Sequence, residues 1–299
     1  MRILYVARHG PRDNQDEDAI THALRELGHI VECVPEGVIR VDAQDYDFAL
    51  FNHNRDYEQI KDLPIPTVFW CFDLIDSKCP SLTWRDQDRR KWMAALTEVT
   101  DLGFMSDGDW VDQDETGKLH HLMQGADTRV AFPEMQQGNK QWLLFTGSKQ
   151  GGLKRTSCID ELTKIYKNNF EIFPQLRRGR RRRIHGKTLA HKIAGARICI
   201  APDFPCTNRY VSNRAVLTIG FGGFLIHPYS EMLTHLYQDR KEIVYYRNRS
   251  EMHALIRHYS TRPEERREIR QAGYARTMRD HTYIDRCRVL IDTVQERLF

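Results

Sequence analysis

Two α/β domains in series are what this sequence predicts, on three observations. Strand and helix signals alternate along the first 130 or so residues, stop, and then alternate again. A polar segment with a proline and a glycine, FPEMQQGNK at 132–140, separates the two runs. The charge changes sign at the same place. Residues 1–140 carry 15 Lys and Arg against 26 Asp and Glu, and residues 141–299 carry 30 against 15. Length agrees, because 299 residues exceed a comfortable single core and suit two domains of about 150 each. The expected boundaries are 1–135 for the first domain and 140–280 for the second. Residues 281–299 are expected to form a helix that packs back on the first domain.

In the first half RILYVA (2–7) is a strand, RHGPRDNQDED (8–18) a polar loop and AITHALRELG (19–28) a helix, with Gly28 as its stop. HIVECV (29–34), DFALFN (47–52) and TVFWCF (67–72) are strands, the last entered through Pro64 and Pro66. A helical spacing of Trp84, Trp92, Met93 and Leu96 follows, then a strand, LGFMSD (102–107). This order implies a parallel sheet with helices on its faces. The second half repeats the grammar. QWLLFTG (141–147), FEIFP (170–174), RICIAP (197–202), GFLIHP (223–228) and EIVYY (242–246) are strands. SCIDELTKIYKN (157–168), KTLAHKIAGA (187–196) and the segment leading to Gly222 are helices, and three more begin near Ser250, Pro263 and Thr282.

Composition narrows the class. Hydrophobic content of 40% is that of a soluble globular chain, and no apolar run approaches the roughly 20 residues of a membrane span. The apolar core of MRILYVARHG is Ile3 to Ala7, short of a signal peptide. Seven cysteines, an odd number without CxxC spacing, read as reduced thiols and fit a cytoplasm. The basic second half favours an anionic partner.

Four stretches carry chemistry. FTGSKQGGLKR (145–155) ends a strand at Gly147 and opens a helix, the arrangement in which backbone N–H groups approach a phosphate. Gly147, Ser148, Lys149 and Arg155 are its candidate ligands, although it is neither a Walker A loop nor GxGxxG. YVSNRAVLTIGFGGFLIHPYSEM (210–232) places Asn213 and Arg214 at a helix start, where a cation is unfavourable without an anion nearby. It also places Gly222 and Gly223 where their amides are expected to reach a diphosphate. QLRRGRRRRIHGK (175–187) gathers Arg177, Arg178, Arg180, Arg181, Arg182 and Arg183. Such a run is a solvated loop, a diphosphate clamp or a nucleic-acid contact. Finally, Asp73 in WCFD and His9 in Arg8-His9-Gly10 follow strands of the first half, where a ligand site of an open α/β sheet lies. Each is a candidate general base for a hydroxyl, against an N-cap aspartate and a surface histidine as the plain alternatives. Asp86/Asp88 and Asp107/Asp109 are DxD-like pairs in an acidic domain, and no metal is expected.

The C-terminal pattern resembles a known family. SNR, GFGGFLIHPYSEM and EIVYYRNRSEMHALIRHYSTRPEERREIRQAGYARTMRDHTYIDR, together about 100 residues, are similar in order and spacing to glycosyltransferases of the CgeB-like group. VFWCFD and HHLMQGAD match more loosely. The resemblance implies a GT-B fold, with two Rossmann-like domains facing across a cleft and C-terminal helices. It implies a nucleotide-sugar donor, UDP-linked, held mainly by the second domain, and a hydroxyl acceptor held mainly by the first. It also places the loop at His185 and Gly186 opposite the donor base. Leu217 and Arg209 stand where relatives carry acids, the acid at 217 being the one that binds the donor ribose. The expected activity is transfer of a hexose or pentose without a required metal or other cofactor. Two alternatives stand beside it: a DNA-modifying transferase acting on a hydroxylated base in duplex DNA, and a GT-B binding module without turnover.

Overall fold

The computed structural model describes residues 1–9, 15–36, 43–52, 60–75, 83–129, 142–147, 153–173, 176–177, 180–181, 186–202 and 209–299. They form two compact units, Met1–Gly125 with Tyr283–Phe299, and Ala126–Thr282. Unit 1 contains β1 (Arg2–Ala7), α1 (Gln15–Glu26), β2 (Ile30–Pro35), β3 (Phe48–Asn52), β4 (Thr67–Cys71), α2 (Thr83–Val99), β5 (Leu102–Met105), α3 (Gly108–Val111) and β6 (Leu119–His121). Unit 2 continues with β7 (Leu143–Thr146), α4 (Leu153–Tyr166), β8 (Phe170–Phe173), β9 (Leu176–Arg177), β10 (Arg180–Arg181), α5 (Gly186–Gly195), β11 (Ile198–Ile200) and α6 (Asn213–Gly220). It closes with β12 (Leu225–Pro228), α7 (Glu231–Leu236), β13 (Val244–Tyr246), α8 (Arg249–Ser260) and α9 (Pro263–Asp280), and α10 (Tyr283–Leu298) belongs to unit 1. Among the described residues no helix is long and apolar enough to cross a membrane.

The sheet of unit 1 has the order β2-β1-β3-β4-β5-β6, every pair parallel. Both faces are covered, which is why β1, β3 and β4 read as near-continuous apolar runs. Alternate residues serve opposite faces. Ile3, Tyr5, Phe48, Trp70 and Phe104 pack with α1 and α10. Leu4, Val6, Phe51, Phe69 and Met105 pack with Met93 and Leu96 of α2. The Tyr283 hydroxyl at the start of α10 donates to Asp16 Oδ1 at 2.5 Å, and Trp70 Nε1 donates to the Leu122 carbonyl at 3.0 Å. Helix α1 begins four residues before the expected start. Asp16, Glu17 and Asp18, read as loop from the sequence, form its first turn, where carboxylates meet the positive end of the helix dipole.

The sheet of unit 2 has the order β13-β12-β11-β7-β8, again parallel throughout. One face packs Leu143, Phe145, Ile198, Ile226 and Val244 against α4 and α8. Arg270 of α9 braces the other side. Its Nε donates to the Gly222 carbonyl and its Nη2 to the Ala194 carbonyl, both at 2.6 Å. One guanidinium thereby satisfies a carbonyl of the last turn of α5, which a helix leaves without an internal partner, and the carbonyl of Gly222 just past α6.

Candidate functional site

In an open parallel sheet a ligand site forms outside the carboxyl ends of the strands that flank the reversal of strand order. In unit 2 these strands are β7 and β11. Gly147 follows β7 directly, and the segment after β11 leads into α6. Arg214, the second residue of α6, reaches back across β7. Its guanidinium carbon lies 5.2 Å from the centre of the Phe145 ring. A Cβ placed on Gly147 would come 2.7 Å from Arg214 Nη2. Gly147 also has φ +147°, and its N–H donates to the Phe173 carbonyl at 2.7 Å. Backbone conformation and the neighbouring guanidinium both require glycine here.

Arg155, in the first turn of α4, adds a second positive charge. Burial, and then the Arg155 charge, push the Arg214 pKa down to about 9, so Arg214 stays protonated at neutral pH. Ser212 holds the N-cap position of α6 with no side-chain cap bond, and Asn213 follows it, half-buried. An anion at this point would meet two guanidinium groups and the positive end of an eight-residue helix. His227, 5% exposed on β12, faces the same charge. Burial is the main cause that lowers its pKa to about 4; the Arg214 charge also lowers it, and the bond to the Pro228 carbonyl opposes both.

The Gly222-Gly223 pair does a different job from the one expected. Gly222 N–H donates to the Ile219 carbonyl at 2.8 Å and Gly223 N–H to the Thr218 carbonyl at 2.9 Å. With Gly222 at φ +70° this is a Schellman cap of α6. Both amides are therefore occupied, and the turn enters β12 at its amino end. It lies a full helix length from Arg214, about 12 Å at 1.5 Å per residue. A side chain on Gly223 would strike Ile193 and Thr218, so its absence serves packing.

Ser148, Lys149 and His185 lie outside the described residues, and Gly186 opens α5. In the arginine-rich stretch, Arg177 on β9 pairs antiparallel with Arg180 on β10, and Arg181 follows. Arg178, Arg182 and Arg183 lie outside the described residues.

In unit 1 the reversal falls between β1 and β3. His9 stands just past β1, its Nε2 3.0 Å from the Tyr5 carbonyl and its ring edge-on to Tyr5. Its neighbour Arg8 pairs with Glu36 at 3.0 Å. Asp73 lies two residues beyond β4 and is half-buried. Asp107 caps α3 through the Trp110 N–H and accepts from the Ile75 N–H at 2.7 Å, which pins the segment carrying Asp73. One half of the Asp107/Asp109 pair is thus a helix cap and loop clamp. Asp86 and Asp88 lie on α2. Among the described residues no group of three or more His, Cys, Asp and Glu is arranged to hold a metal.

Two groups escaped the sequence reading. Glu17 is 7% exposed, and burial first, then the Asp16 and Asp18 charges, raise its pKa to about 7 against the opposing Glu17 N–H and Arg8 charge. An acidic triplet before an apolar helical pattern was its signal. His227 had a weaker one, the Pro228 that follows it and marks a strand end.

Residues 155–292 match the family described as Glycosyl transferase-like. Several solved structures share the fold over 99% of the chain. Sucrose-phosphate synthase from Thermosynechococcus elongatus is 10% identical with a TM-score of 0.68 and 98% of its own chain covered. HepE from Anabaena, in complex with UDP-glucose, is 9% identical with a TM-score of 0.65 and 100% covered. A glycosyltransferase from Rickettsia africae is 11% identical with a TM-score of 0.59 and 98% covered. The fold of the chain is accordingly GT-B, as the sequence predicts. No curated relative matches the chain.

Proposed function

We propose that this chain, a GT-B protein whose residues 155–292 match the glycosyl transferase-like family, moves a sugar from a nucleotide diphosphate to a hydroxyl acceptor. The observation that carries the reading is Arg214 lodged against Gly147 beside Arg155, at the strand-order reversal of unit 2. Two adjacent cations suit a diphosphate, whose charge grows as the bond to the sugar breaks. Arg is fitted for this by its fixed fork of donors. HepE, similar in fold, has been solved with UDP-glucose and with UDP. We take a UDP-linked hexose or pentose as the donor.

In the transfer, the acceptor oxygen bonds to the anomeric carbon as that carbon's bond to the diphosphate breaks. The acceptor proton passes to a base, and the nucleoside diphosphate leaves with the bonding pair. Asp73 and His9 of unit 1 are the candidates for the base, each beyond the carboxyl end of a strand. Charge stabilisation by Arg155 and Arg214 takes the place of a metal in this reading. Calorimetric titration with UDP and UDP-glucose tests it, alongside turnover with and without a chelator. Micromolar UDP binding that Arg214→Ala weakens about 10- to 100-fold without unfolding supports the donor site. Wild-type protein that binds neither compound refutes it.

A further inference from the structure

We infer that Arg89 and Asp107 are positioning residues for Asp73: together they lock the peptide unit beyond it and so hold its carboxylate ready for the acceptor hydroxyl. The inference rests on the reading of Asp73 as the base of the proposed transfer and names what aims it.

The chain leaving β4 is anchored on both sides of Asp73. Before it, the Cys71 carbonyl accepts from the Ser106 N–H, just past β5, at 2.9 Å. After it, the peptide unit joining Leu74 to Ile75 is gripped at both ends. The Leu74 carbonyl accepts from Arg89 Nη1 of α2 at 3.2 Å, and the Ile75 N–H donates to Asp107 Oδ2 at 2.7 Å. A peptide unit is planar, so two partners on opposite ends fix its orientation. Asp107 is fully buried, and its Oδ1 accepts from the Trp110 N–H at 3.3 Å. Burying a carboxylate is costly, and a neutral side chain would cap α3 as well. Two acceptor oxygens are called for because Asp107 serves the loop besides the helix; an amide offers one. Asp73 stands between these anchors, half-buried. Among the described residues its own carboxylate has no hydrogen bond or ion pair. It is not the cap of α2, which begins only at Thr83. His9, the other candidate, already has one ring nitrogen committed to the Tyr5 carbonyl. A braced loop that leaves its carboxylate open, at the carboxyl edge of a parallel sheet, suits a group that takes a proton from a bound hydroxyl.

Release of UDP from UDP-glucose, with water as the acceptor, gives kcat and KM for each variant. Arg89→Met removes the donor to the Leu74 carbonyl and should lower kcat about tenfold, with KM and UDP affinity within about twofold. Asp107→Asn should lower kcat by at least as much. Arg89→Lys keeps a donor and should return kcat to within about threefold of the wild type. The deciding readout is the double variant. Because the clamp acts through Asp73, Arg89→Met should change kcat by less than about twofold in an Asp73→Asn background. A loss there as large as in the wild type overturns the inference in favour of a purely structural clamp. Wild-type kcat in Arg89→Met overturns it too. Melting curves show which variants fold, and if Asp107→Asn unfolds, the Arg89 series decides alone. If Asp73→Asn keeps full turnover, or the wild type releases no UDP, the base reading itself fails and the inference with it.

Discussion

The guanidinium of Arg214 occupies the space in which residue 147 would carry a side chain: a Cβ on Gly147 would sit 2.7 Å from Nη2 and 3.0 Å from Nε. The two residues come from different βα connections of unit 2, after β7 and after β11, and each restricts the other.

Gly147→Ala should therefore behave as a variant of Arg214. The added methyl meets a partly buried cation, and φ +147° is strained for any L residue. Arg214→Ala should weaken UDP by about 10- to 100-fold, the range of a charge-assisted hydrogen bond. Gly147→Ala should lose a similar factor, and the double variant little more than either alone. Additive losses in the double-mutant cycle would show that the two residues act independently.

His227 makes the fold sensitive to acid. Its side chain is held neutral down to about pH 4 in the folded chain, while in the unfolded chain it protonates near 6.5. The unfolded state thus binds the extra proton between these values. Stability should fall as pH drops from 6.5 to 4, by up to about 3 kcal/mol. Urea titrations of the wild type and His227→Gln across this range check it, and the variant should show a flatter dependence.

Glu17 has the opposite sign. Its folded pKa is raised from 4.5 to about 7, so the folded state holds a proton that the unfolded state releases. Its contribution to stability is present below pH 4.5 and fades as pH rises through 7. Glu17→Gln should raise Tm at pH 8 and make little difference at pH 4.5. An equal change at both pH values would assign the effect to packing.

Asp73→Asn should reduce kcat by 10²- to 10⁴-fold, the usual contribution of a general base, while UDP affinity stays within about twofold. His9→Ala is the comparison. If the His9 variant loses turnover and the Asp73 variant keeps it, the proton goes to His9.

Replacing Arg180, Arg181, Arg182 and Arg183 by serine separates the uses of the arginine stretch. A donor clamp predicts weaker UDP binding and no salt-dependent affinity for duplex DNA. A DNA grip predicts a log–log salt slope shallower by up to about 3.6, at roughly 0.9 per phosphate contact. A loop that only meets solvent predicts neither change.

The sequence by itself determined the order of elements, because strand period, helix period and glycine stops are local properties. β1, β3, β4, β7 and β12 announce themselves as apolar runs, and two rounds of that pattern predicted two α/β domains, to which the resemblance of the C-terminal segments added the GT-B fold. Arg214 stood out because a cation at a helix start is locally unfavourable. Contacts between distant segments were decided only by the tertiary structure. Nothing local in Gly147 says that Arg214 lies against it, nor in Tyr283 that its hydroxyl meets Asp16. Gly222-Gly223 shows the limit most directly. Its sequence suits a phosphate turn and a helix cap equally, and the deciding fact is which end of the strand the turn meets. At the amino end of β12 its amides close the helix, and the carboxyl ends of β7 and β11 are left to the arginines.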